Sequence, residues 1–586
     1  MHAKMGLYQW AFIVVALALV VSSSFADERT HKYKENEELV VYVNTVGPYN
    51  NPQETYEFYK KLPFCAPQKL VQGRMEGLGE ALQGYELIKS NLKPTFMKPV
   101  ADEVFCLHEY LAQEQMTKFF KAVKQQYFFE LFVDDLPIWG HVGEMIEDKA
   151  YVYTHWGFSF SYNGNRLVEA KLTTSKPELV KTGNRLVFTY SVAWTPSEVK
   201  FSNRFDAYLD NQFFGHQIHW FSIFNSLMMV VFLVGLVSVI LMRILQKDCA
   251  AAEQDDEENG DLGSFDVGSE TGWKFIHGDV FRAPPHLTVF SALVGTGTQL
   301  ATLVLLVISL AIGFYQQRGS VVTALIVCYA LTSMIGGYVS GSTYVRNGGK
   351  KWIRTMVVTA SLLPGAASIL SLLLNVVGWS YGSTSAIPFA TLFVILLLWL
   401  VVAMPLTFAG TVVGRHWGGT PNFPCRISPV PSAIPEKKWY FKRPYLVILG
   451  GIMPFGSIFM EMFFVFTALW QHKYYHVFGF LFIVYAILVV VSACVAIVST
   501  YILLNGHDYR WHWMSFLNGA STGFYAFLYA THYFLRGTKM TGFLQFSFYF
   551  GNSILYCTCL GLICGAVSFL SSQLFVHTIY RYIKAD

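Results

Sequence analysis

The sequence predicts a polytopic α-helical membrane protein with nine transmembrane helices and an N-terminal lumenal domain that is β-rich and sandwich-like. Three observations lead to this fold class. The chain of 586 residues is 53% hydrophobic and only 14% charged, whereas about a quarter of residues carry charge in a soluble protein. Long apolar runs fill the C-terminal two thirds, and a polar segment with alternating strand patterns fills the first third. The formal net charge of +4 is too small to indicate a nucleic-acid partner.

Residues 1–26 have the features of a secretory signal peptide. Lys4 supplies a positive start, residues 10–21 form the apolar region, and residues 24–26 are a small-x-small cleavage site. A transmembrane anchor is the alternative, but this apolar region falls short of the roughly 20 residues that a spanning helix needs. The segment that follows, residues 27–217, is therefore expected in the lumen.

About 190 residues are enough to bury a core of their own, so residues 27–217 are expected to fold as a separate domain. Alternation of apolar and polar residues about Asn163 and Gly164 indicates a hairpin, because this pair favours a turn with positive φ. Strand patterns cover residues 39–45, 157–171 and 186–194, and weaker helical periodicity covers residues 76–82 and 113–128.

The stretch 134–140 begins with Asp134 and Asp135, which could suggest paired catalytic carboxylates. Adjacent residues on an extended chain point to opposite faces, so a turn entering a strand is the better interpretation. Cys65 and Cys106 are the only cysteines of this domain, and an oxidising lumen favours a disulfide between them. Because no catalytic motif or metal-ligand spacing stands out, the sequence predicts neither an enzyme nor a cofactor or metal site.

Nine apolar runs fill the rest of the chain, and each is at least about 20 residues long, enough to cross the hydrocarbon as a helix. Helices are expected because backbone polar groups in lipid must be satisfied within the chain. We assign the first span to residues 218–245, an acidic cytosolic linker to 246–286, an eight-helix bundle to 287–575 and a cytosolic tail to 576–586. The apolar runs lie near 220–242, 287–315, 320–341, 353–379, 386–413, 445–470, 475–504, 513–535 and 542–573.

An odd number of spans after a lumenal N-terminus places the C-terminus in the cytosol. The positive-inside rule tests this orientation independently. The connections predicted to be cytosolic hold 17 Lys and Arg residues. The predicted lumenal connections after the first span hold only four, which are Arg318, Lys473, Arg536 and Lys539.

Six short motifs stand at the ends of the predicted spans and in their connections: HWFSIFNS at 219–226, GDVFR at 278–282, NFPCR at 422–426, PEKKW at 435–439, GGIMPFGS at 450–457 and DYRW at 508–511. Together these motifs resemble the transmembrane 9 superfamily, the nonaspanins, over essentially the whole mature chain. The resemblance implies a lumenal domain with nine helices, residence in Golgi and endosomal membranes, and a role in sorting membrane proteins without an established enzymatic reaction.

The final residues, Lys584, Ala585 and Asp586, match the K-x-D/E tail of that family. The resemblance implies recognition by the COPI coatomer, since this tail is similar to a signal that the coat reads for Golgi retention. An exposed Lys beside two terminal carboxylates is a compact charge pattern for a receptor. An ordinary solvated terminus is the alternative, and in either case the tail is an address rather than an anchor.

Four pairs of glycines within the spans repeat the G-x-x-x-G spacing, which forms a smooth stripe that another helix can approach closely. Such stripes serve packing within the bundle or, as the resemblance suggests, dock the glycine-rich transmembrane helix of a client protein. The expected partners are therefore membrane lipids, transmembrane clients and the coatomer. The pairs are Gly337/Gly341, Gly410/Gly414, Gly519/Gly523 and Gly561/Gly565.

Glu461 is the only acidic residue within an apolar run. A carboxylate in the bilayer is costly, so it is expected to face the bundle interior or a wet cavity, with His532 as a candidate partner. Two interpretations stay open: a neutral or paired structural Glu, or the midplane site of a small-molecule or ion transporter. The second is the alternative to the sorting function.

Overall fold

The computed structural model describes most of the chain. The predicted signal peptide at 1–26 and the tail residues Lys584 and Asp586 lie outside the described residues. The structure describes residues 31–71, 73, 78–208, 216–258, 272–314, 319–418, 423–436, 438–439, 442–470 and 478–581.

The N-terminal domain contains ten strands and three short helices. The helices are α1 (Phe58–Lys61), α2 (Leu78–Gln83) and α3 (Gln113–Lys124). The strands are β1 (Val41–Pro48), β2 (Tyr56–Glu57), β3 (Ile88–Lys89), β4 (Val100–His108), β5 (Tyr127–Val133), β6 (Leu136–His141), β7 (Gly143–Ile146), β8 (Lys149–Asn163), β9 (Arg166–Leu179) and β10 (Leu186–Pro196).

These strands form two five-stranded sheets that share one aromatic core. The first sheet has the order β2-β1-β5-β6 with β3 also paired to β1, and the second has the order β4-β10-β8-β7 with β9 paired to β8. Phe129 of the first sheet stacks on Trp156 of the second, with ring centroids 4.7 Å apart. Phe64 contacts both Trp156 and Phe188 edge to face. Such pairs add about 0.5–1.5 kcal/mol each beyond the area they bury, and the two layers confirm the β-rich, sandwich-like domain.

The hairpin predicted about Asn163 and Gly164 is confirmed. Asn163 at the end of β8 pairs with Arg166 at the start of β9, and Gly164 in the turn has a φ of +62°. The second predicted turn, at Asp134 and Asp135, is also confirmed. Both residues have positive φ, 50° and 65°, as a two-residue turn that joins twisted antiparallel strands requires.

The helix predicted over residues 113–128 ends earlier than expected, because α3 stops at Lys124. Tyr127 and Phe128 already belong to β5, where they pair with β1 at Pro48 and Gly47. The predicted helix was too long because the apolar residues at the start of β5 continue the helical spacing of α3.

Long helices make up the rest of the described chain. They are α4 (His216–Glu258), α5 (Leu287–Phe314), α6 (Ser320–Arg346), α7 (Trp352–Tyr381), α8 (Phe389–Leu398), which continues through a π-helical turn (Trp399–Ala403) into α9 (Met404–Trp417), α10 (Arg443–Gly450), which leads into α11 (Ile452–Trp470), α12 (Phe478–Asn505), α13 (Trp511–Gly537) and α14 (Phe543–Arg581).

Within the described chain, eight spans are long and apolar enough to cross a membrane, with α8–α9 and α10–α11 each counted as one. The remaining predicted span is α13, whose 27 residues are long enough but whose composition is more polar. Its polar side chains Ser515, Asn518 and Thr522 are buried. The helix is therefore shielded from lipid by its neighbours on one face, as its amphipathic pattern requires.

The linker predicted at 246–286 is helical at its first described end and packs against the bundle at its second. Helix α4 runs on as far as Glu258. The residues before α5 return to the bundle, where Trp273, Ile276 and Phe281 are buried. The reason is their apolar character, since Trp273 packs edge to face on Tyr580 at 5.2 Å. The residues just before α5 are thus part of the bundle rather than of a solvated linker.

The N-terminal domain contacts one end of the bundle. The Gly79 N–H donates to Thr323 Oγ1 near the start of α6 (3.1 Å), the Thr384 N–H between α7 and α8 donates to Thr55 O (2.9 Å), and Asn51 Nδ2 donates to Thr541 O between α13 and α14 (2.8 Å). These connections are all among those predicted to be lumenal. The opposite end of the bundle, where α6, α9 and α14 finish and α7 and α13 begin, is called the distal end below.

Candidate functional site

The first two glycine pairs face each other across the contact between α6 and α9. A Cβ atom at Gly337 would overlap Thr407 O, and one at Gly410 would overlap Met334 O. Gly414 meets Tyr338 O and Gly341 meets Thr411 O in the same way. The two helices therefore touch backbone to backbone, which only residues without a side chain permit.

The other two pairs line the contact between α13 and α14. A Cβ atom at Gly519 would overlap Cys564 O, and one at Gly523 would overlap Cys557 O. On the other side, Gly561 lies against Ala520 O, and Gly565 against Phe516 O. All eight predicted glycines are buried, so each stripe is occupied by another helix of the same chain. This placement fits the packing interpretation and leaves none of the four stripes free for a client helix.

Glu461 lies inside the bundle, on α11, with 2% of its surface exposed. His532 lies on an exposed face of α13, and no hydrogen bond or ion pair joins these two described side chains. The partnership with His532 is therefore wrong, because α13 turns this residue outward. Tyr556 of α14 instead lies near enough to Glu461 to interact electrostatically. Glu461 lines neither the cavity at the distal end of the bundle nor the one beside α3 in the N-terminal domain.

A polar junction joins the N-terminal domain to the bundle, and sequence reasoning missed it. Asn51 and Thr541 exchange two hydrogen bonds, from Asn51 Nδ2 to Thr541 O (2.8 Å) and from Thr541 N to Asn51 Oδ1 (3.0 Å). The Gln53 N–H donates to Gln545 Oε1 (3.0 Å). Ser385 Oγ donates to Gln53 O (2.6 Å). No local pattern could have revealed these pairs, because their members are hundreds of residues apart.

Within the N-terminal domain, Cys65 and Cys106 form a disulfide with their Cα atoms 5.3 Å apart. His108 lies beside it, with Nε2 3.7 Å from Cys106 Sγ and 2.7 Å from Pro63 O. These three side chains are close enough to share a metal ion, but zinc takes thiolates as ligands, and the disulfide engages both sulfurs. The cluster is therefore structural in this oxidised form.

A buried ion pair ties the end of the N-terminal domain to its core. Arg204 Nη1 donates to Asp134 Oδ2 (3.1 Å), and Arg204 Nη2 lies 3.9 Å from Asp135 Oδ2. Arg204 belongs to a 3₁₀ helix, Phe201–Tyr208, the last described element before α4. Burial raises the pKa of Asp134 to about 6 although Arg204 lowers it, and Asp135 adds to the rise. The pair therefore fastens the connection to the first span.

A two-sheet N-terminal domain docked on long apolar helices defines a multi-pass membrane protein with a large extramembrane domain. The chain belongs to the endomembrane protein 70 family, whose match covers residues 55–543. It also matches transmembrane 9 superfamily member 4 of Arabidopsis thaliana at 38% identity over 97% of each chain. Residues 43–49 and 134–140 look similar to member 3 of this superfamily, and Arabidopsis thaliana member 3 is 38% identical over 96% of each chain.

A further relative is named putative phagocytic receptor 1b, from Dictyostelium discoideum, and is 37% identical over 99% of each chain. No solved structure matches the chain significantly. The family match and these relatives confirm the resemblance to the transmembrane 9 superfamily that the motifs indicated.

The glycine contacts predict that replacing glycine by alanine lowers stability where the helices touch and has little effect where the glycine faces open space. Gly410→Ala should destabilise the protein by about 1–3 kcal/mol, the range for overpacking a close contact, because its Cβ meets the Met334 carbonyl. Gly365→Ala on α7 should change stability by about 1 kcal/mol or less, because open space surrounds that position. Thermal unfolding of the full chain in detergent measures both. Equal effects at the two sites would contradict the packing assignment.

The raised pKa of Asp134 predicts that acidification stabilises the N-terminal domain. The stabilisation is fully present below about pH 4 and is lost as the pH rises through about 6, so lowering the pH from 7 to 5 should add about 1 kcal/mol. Hydrogen exchange of β5 and β6 in the full chain, corrected for intrinsic rates, measures it. Asp134→Asn should remove this part of the pH dependence, whereas Asp206→Asn, at an exposed site of the same 3₁₀ helix, should keep it. A wild-type pH profile in Asp134→Asn would refute the assignment.

Proposed function

We propose that this protein is a non-enzymatic factor that sorts and localises other membrane proteins in Golgi and endosomal membranes. The observation that carries the proposal is the polar junction, which holds the N-terminal domain directly over the helix ends. One client can then be contacted through its ectodomain and its transmembrane helix at the same time. The naming of a relative as a putative phagocytic receptor supports a role in handling other molecules at membranes.

The surface best suited to a client helix is α8. Of its ten residues only Thr391 is buried, and large apolar side chains such as Phe389 (70% exposed) and Phe393 (65% exposed) project from it. The helix begins just after Ser385, a residue of the polar junction, so it lies directly below the N-terminal domain. A glycine-rich helix offers a smooth stripe against which such side chains pack closely. In this proposal the glycine stripe belongs to the client and the large side chains belong to this chain.

A π-helical turn follows α8 and marks the same region. Trp399 begins this turn, and its Nε1 donates to Ala360 O of α7 (3.0 Å). Single π turns inside α-helices occur often at functional sites. The turn fixes the base of α8 to α7 while the rest of α8 stays peripheral, which leaves room for a partner helix beside it.

The tail completes the proposal as a coat-binding signal. Helix α14 begins beside the polar junction and ends at Arg581, and its 39 residues rise about 58 Å. That length is nearly twice the roughly 30 Å of the hydrocarbon core. Lys584 and Asp586 follow Arg581, on the side of the membrane predicted to be cytosolic, where the COPI coatomer would read them.

Photo-crosslinking tests the client surface. A photoreactive amino acid at Phe393 should crosslink to glycine-rich transmembrane clients in native membranes. The same amino acid at Phe524 of α13, a lipid-exposed position of similar accessibility (58%), should yield only background products. Mass spectrometry of the products identifies the partners. Equal client capture at the two positions would contradict docking on α8.

Lys584→Ala tests the tail. The variant should lose coatomer in pull-downs and leave the Golgi, because the coat signal needs its Lys. Lys350→Ala removes another exposed Lys from the distal end and should change neither property. Fluorescence microscopy and quantitative pull-down measure these outcomes. Coat binding that survives Lys584→Ala would rule out the tail as the signal.

A further inference from the structure

A cavity of about 360 Å³ lies at the distal end of the bundle, away from the N-terminal domain. Its walls come from the end of α6, the end of α9, the start of α13 and the last turns of α14. Small-molecule sites in proteins typically enclose about 300–1,000 Å³. The cavity therefore has room for a small polar ligand or a lipid headgroup.

The polar lining of this cavity contains one fixed cation, the Arg346 guanidinium, and neutral side chains that can donate hydrogen bonds. Its polar side chains are Arg346, Asn347, His512, Gln573 and His577. The described lining holds no carboxylate. His577 lies close enough to both Arg346 and His512 to interact electrostatically. Such a lining suits an anion, whereas Mg²⁺ and Ca²⁺ need oxygen ligands such as carboxylates.

His512 is the group whose placement most needs an explanation. It is only 6% exposed, and its ring stacks on Trp511 with centroids 4.0 Å apart. Among the described residues, the imidazole nitrogens have no hydrogen-bond partner. Buried polar groups are almost always paired with protein, water or ligand. Because the imidazole lines the cavity and has no protein partner, its nitrogens are available to a ligand inside the cavity.

Arg346 lies at the edge of the same cavity, and one hydrogen bond fixes its position. Its Nε donates to Gly418 O at the end of α9 (2.9 Å), which fixes the guanidinium plane. This bond leaves Nη1 and Nη2 without a partner in the described chain. A guanidinium held by one nitrogen can still bind a phosphate through the other two. The start of α13, which carries Trp511 and His512, adds backbone N–H groups and a positive helix end.

The aromatic wall comes from the sequence motifs that carried the superfamily resemblance. Phe281 of GDVFR stacks on Phe423 of NFPCR with centroids 5.1 Å apart, and Trp511 of DYRW lies on the same cavity. The nearby acid, Asp279, is turned away from the ligand space, because it accepts hydrogen bonds from Ser432 Oγ (2.6 Å) and Arg282. Three motifs far apart in the sequence thus build one wall.

We propose that this cavity binds a phosphate group, carried either by the headgroup of a membrane lipid or by a free inositol phosphate. Arg346 would bind the phosphate oxygens at the rim, and His512 and Gln573 would donate from inside. The aromatic wall would contact the apolar face of the attached group. This site goes beyond the sorting role and does not depend on it.

The test uses the purified full chain in phosphatidylcholine nanodiscs. In one arm the discs also contain phosphatidylinositol 4-phosphate, and in the other arm inositol trisphosphate is added to the solution. Native mass spectrometry detects the bound ligand, and the shift in unfolding temperature reports its affinity. Binding in the lipid arm alone identifies a lipid headgroup, and binding in the soluble arm identifies a free phosphate. Binding in neither arm overturns the proposal.

Variants assign the binding to this cavity. Arg346→Gln should weaken binding by about tenfold or more, as expected for the loss of a charge-assisted hydrogen bond. Arg354→Gln removes an exposed positive charge from the distal end outside the cavity lining and should bind like wild type. His512→Phe keeps the aromatic stacking, removes the ring nitrogens, and carries the test if Arg346→Gln fails to fold. Equal losses in Arg354→Gln and in the cavity variants would indicate general surface charge and overturn the proposal.

Discussion

Direct backbone contact at glycine holds this bundle together, and the two ends of the molecule depend on it. Lipid tails are as apolar as leucine, so helices in a bilayer associate through close packing rather than through exclusion of water. At Gly337 and Gly410, α6 and α9 approach until carbonyl oxygens occupy the space of a side chain. The α6 helix then carries Thr323 to the N-terminal domain at one end and Arg346 to the cavity at the other. A shift of this interface would move both sites.

The polar junction reaches the bundle through neutral groups, with the Glu54 carboxylate behind Asn51 (2.9 Å), whereas a charged pair, Asp134 and Arg204, is buried inside the N-terminal domain. Asn51, Thr55 and Gln53 use amides, hydroxyls and backbone atoms to reach the bundle. None of these three bonds to the bundle has a titratable donor or acceptor. The group that does respond, Asp134, sits inside the domain and bears on Arg204 just before α4. Protonation of Asp134 on acidification therefore bears on the connection to the first span.

Local chemistry in the sequence was sufficient for the architecture but not for the partners of its parts. The Asn163-Gly164 hairpin and the Asp134-Asp135 turn follow from residues that tolerate positive φ, and the spans follow from apolar length. The glycine spacing identified four stripes, yet a stripe does not reveal which helix covers it. His532 illustrates the same limit, since helical periodicity did not place it outside the bundle. The polar junction and the cavity join residues from distant segments, which only the folded chain brings together.

The polarity of α13 bears on how the chain is made. During synthesis the translocon releases a segment into lipid according to its own apolar character, and α13 carries buried Ser515, Asn518 and Thr522. On its own, α13 would partition only weakly from the translocon into lipid. Its glycines at 519 and 523 match the carbonyls of α14, the helix synthesised next. We therefore expect α13 and α14 to enter the bilayer together as a helical hairpin, because α14 supplies the burial that the polar side chains of α13 require.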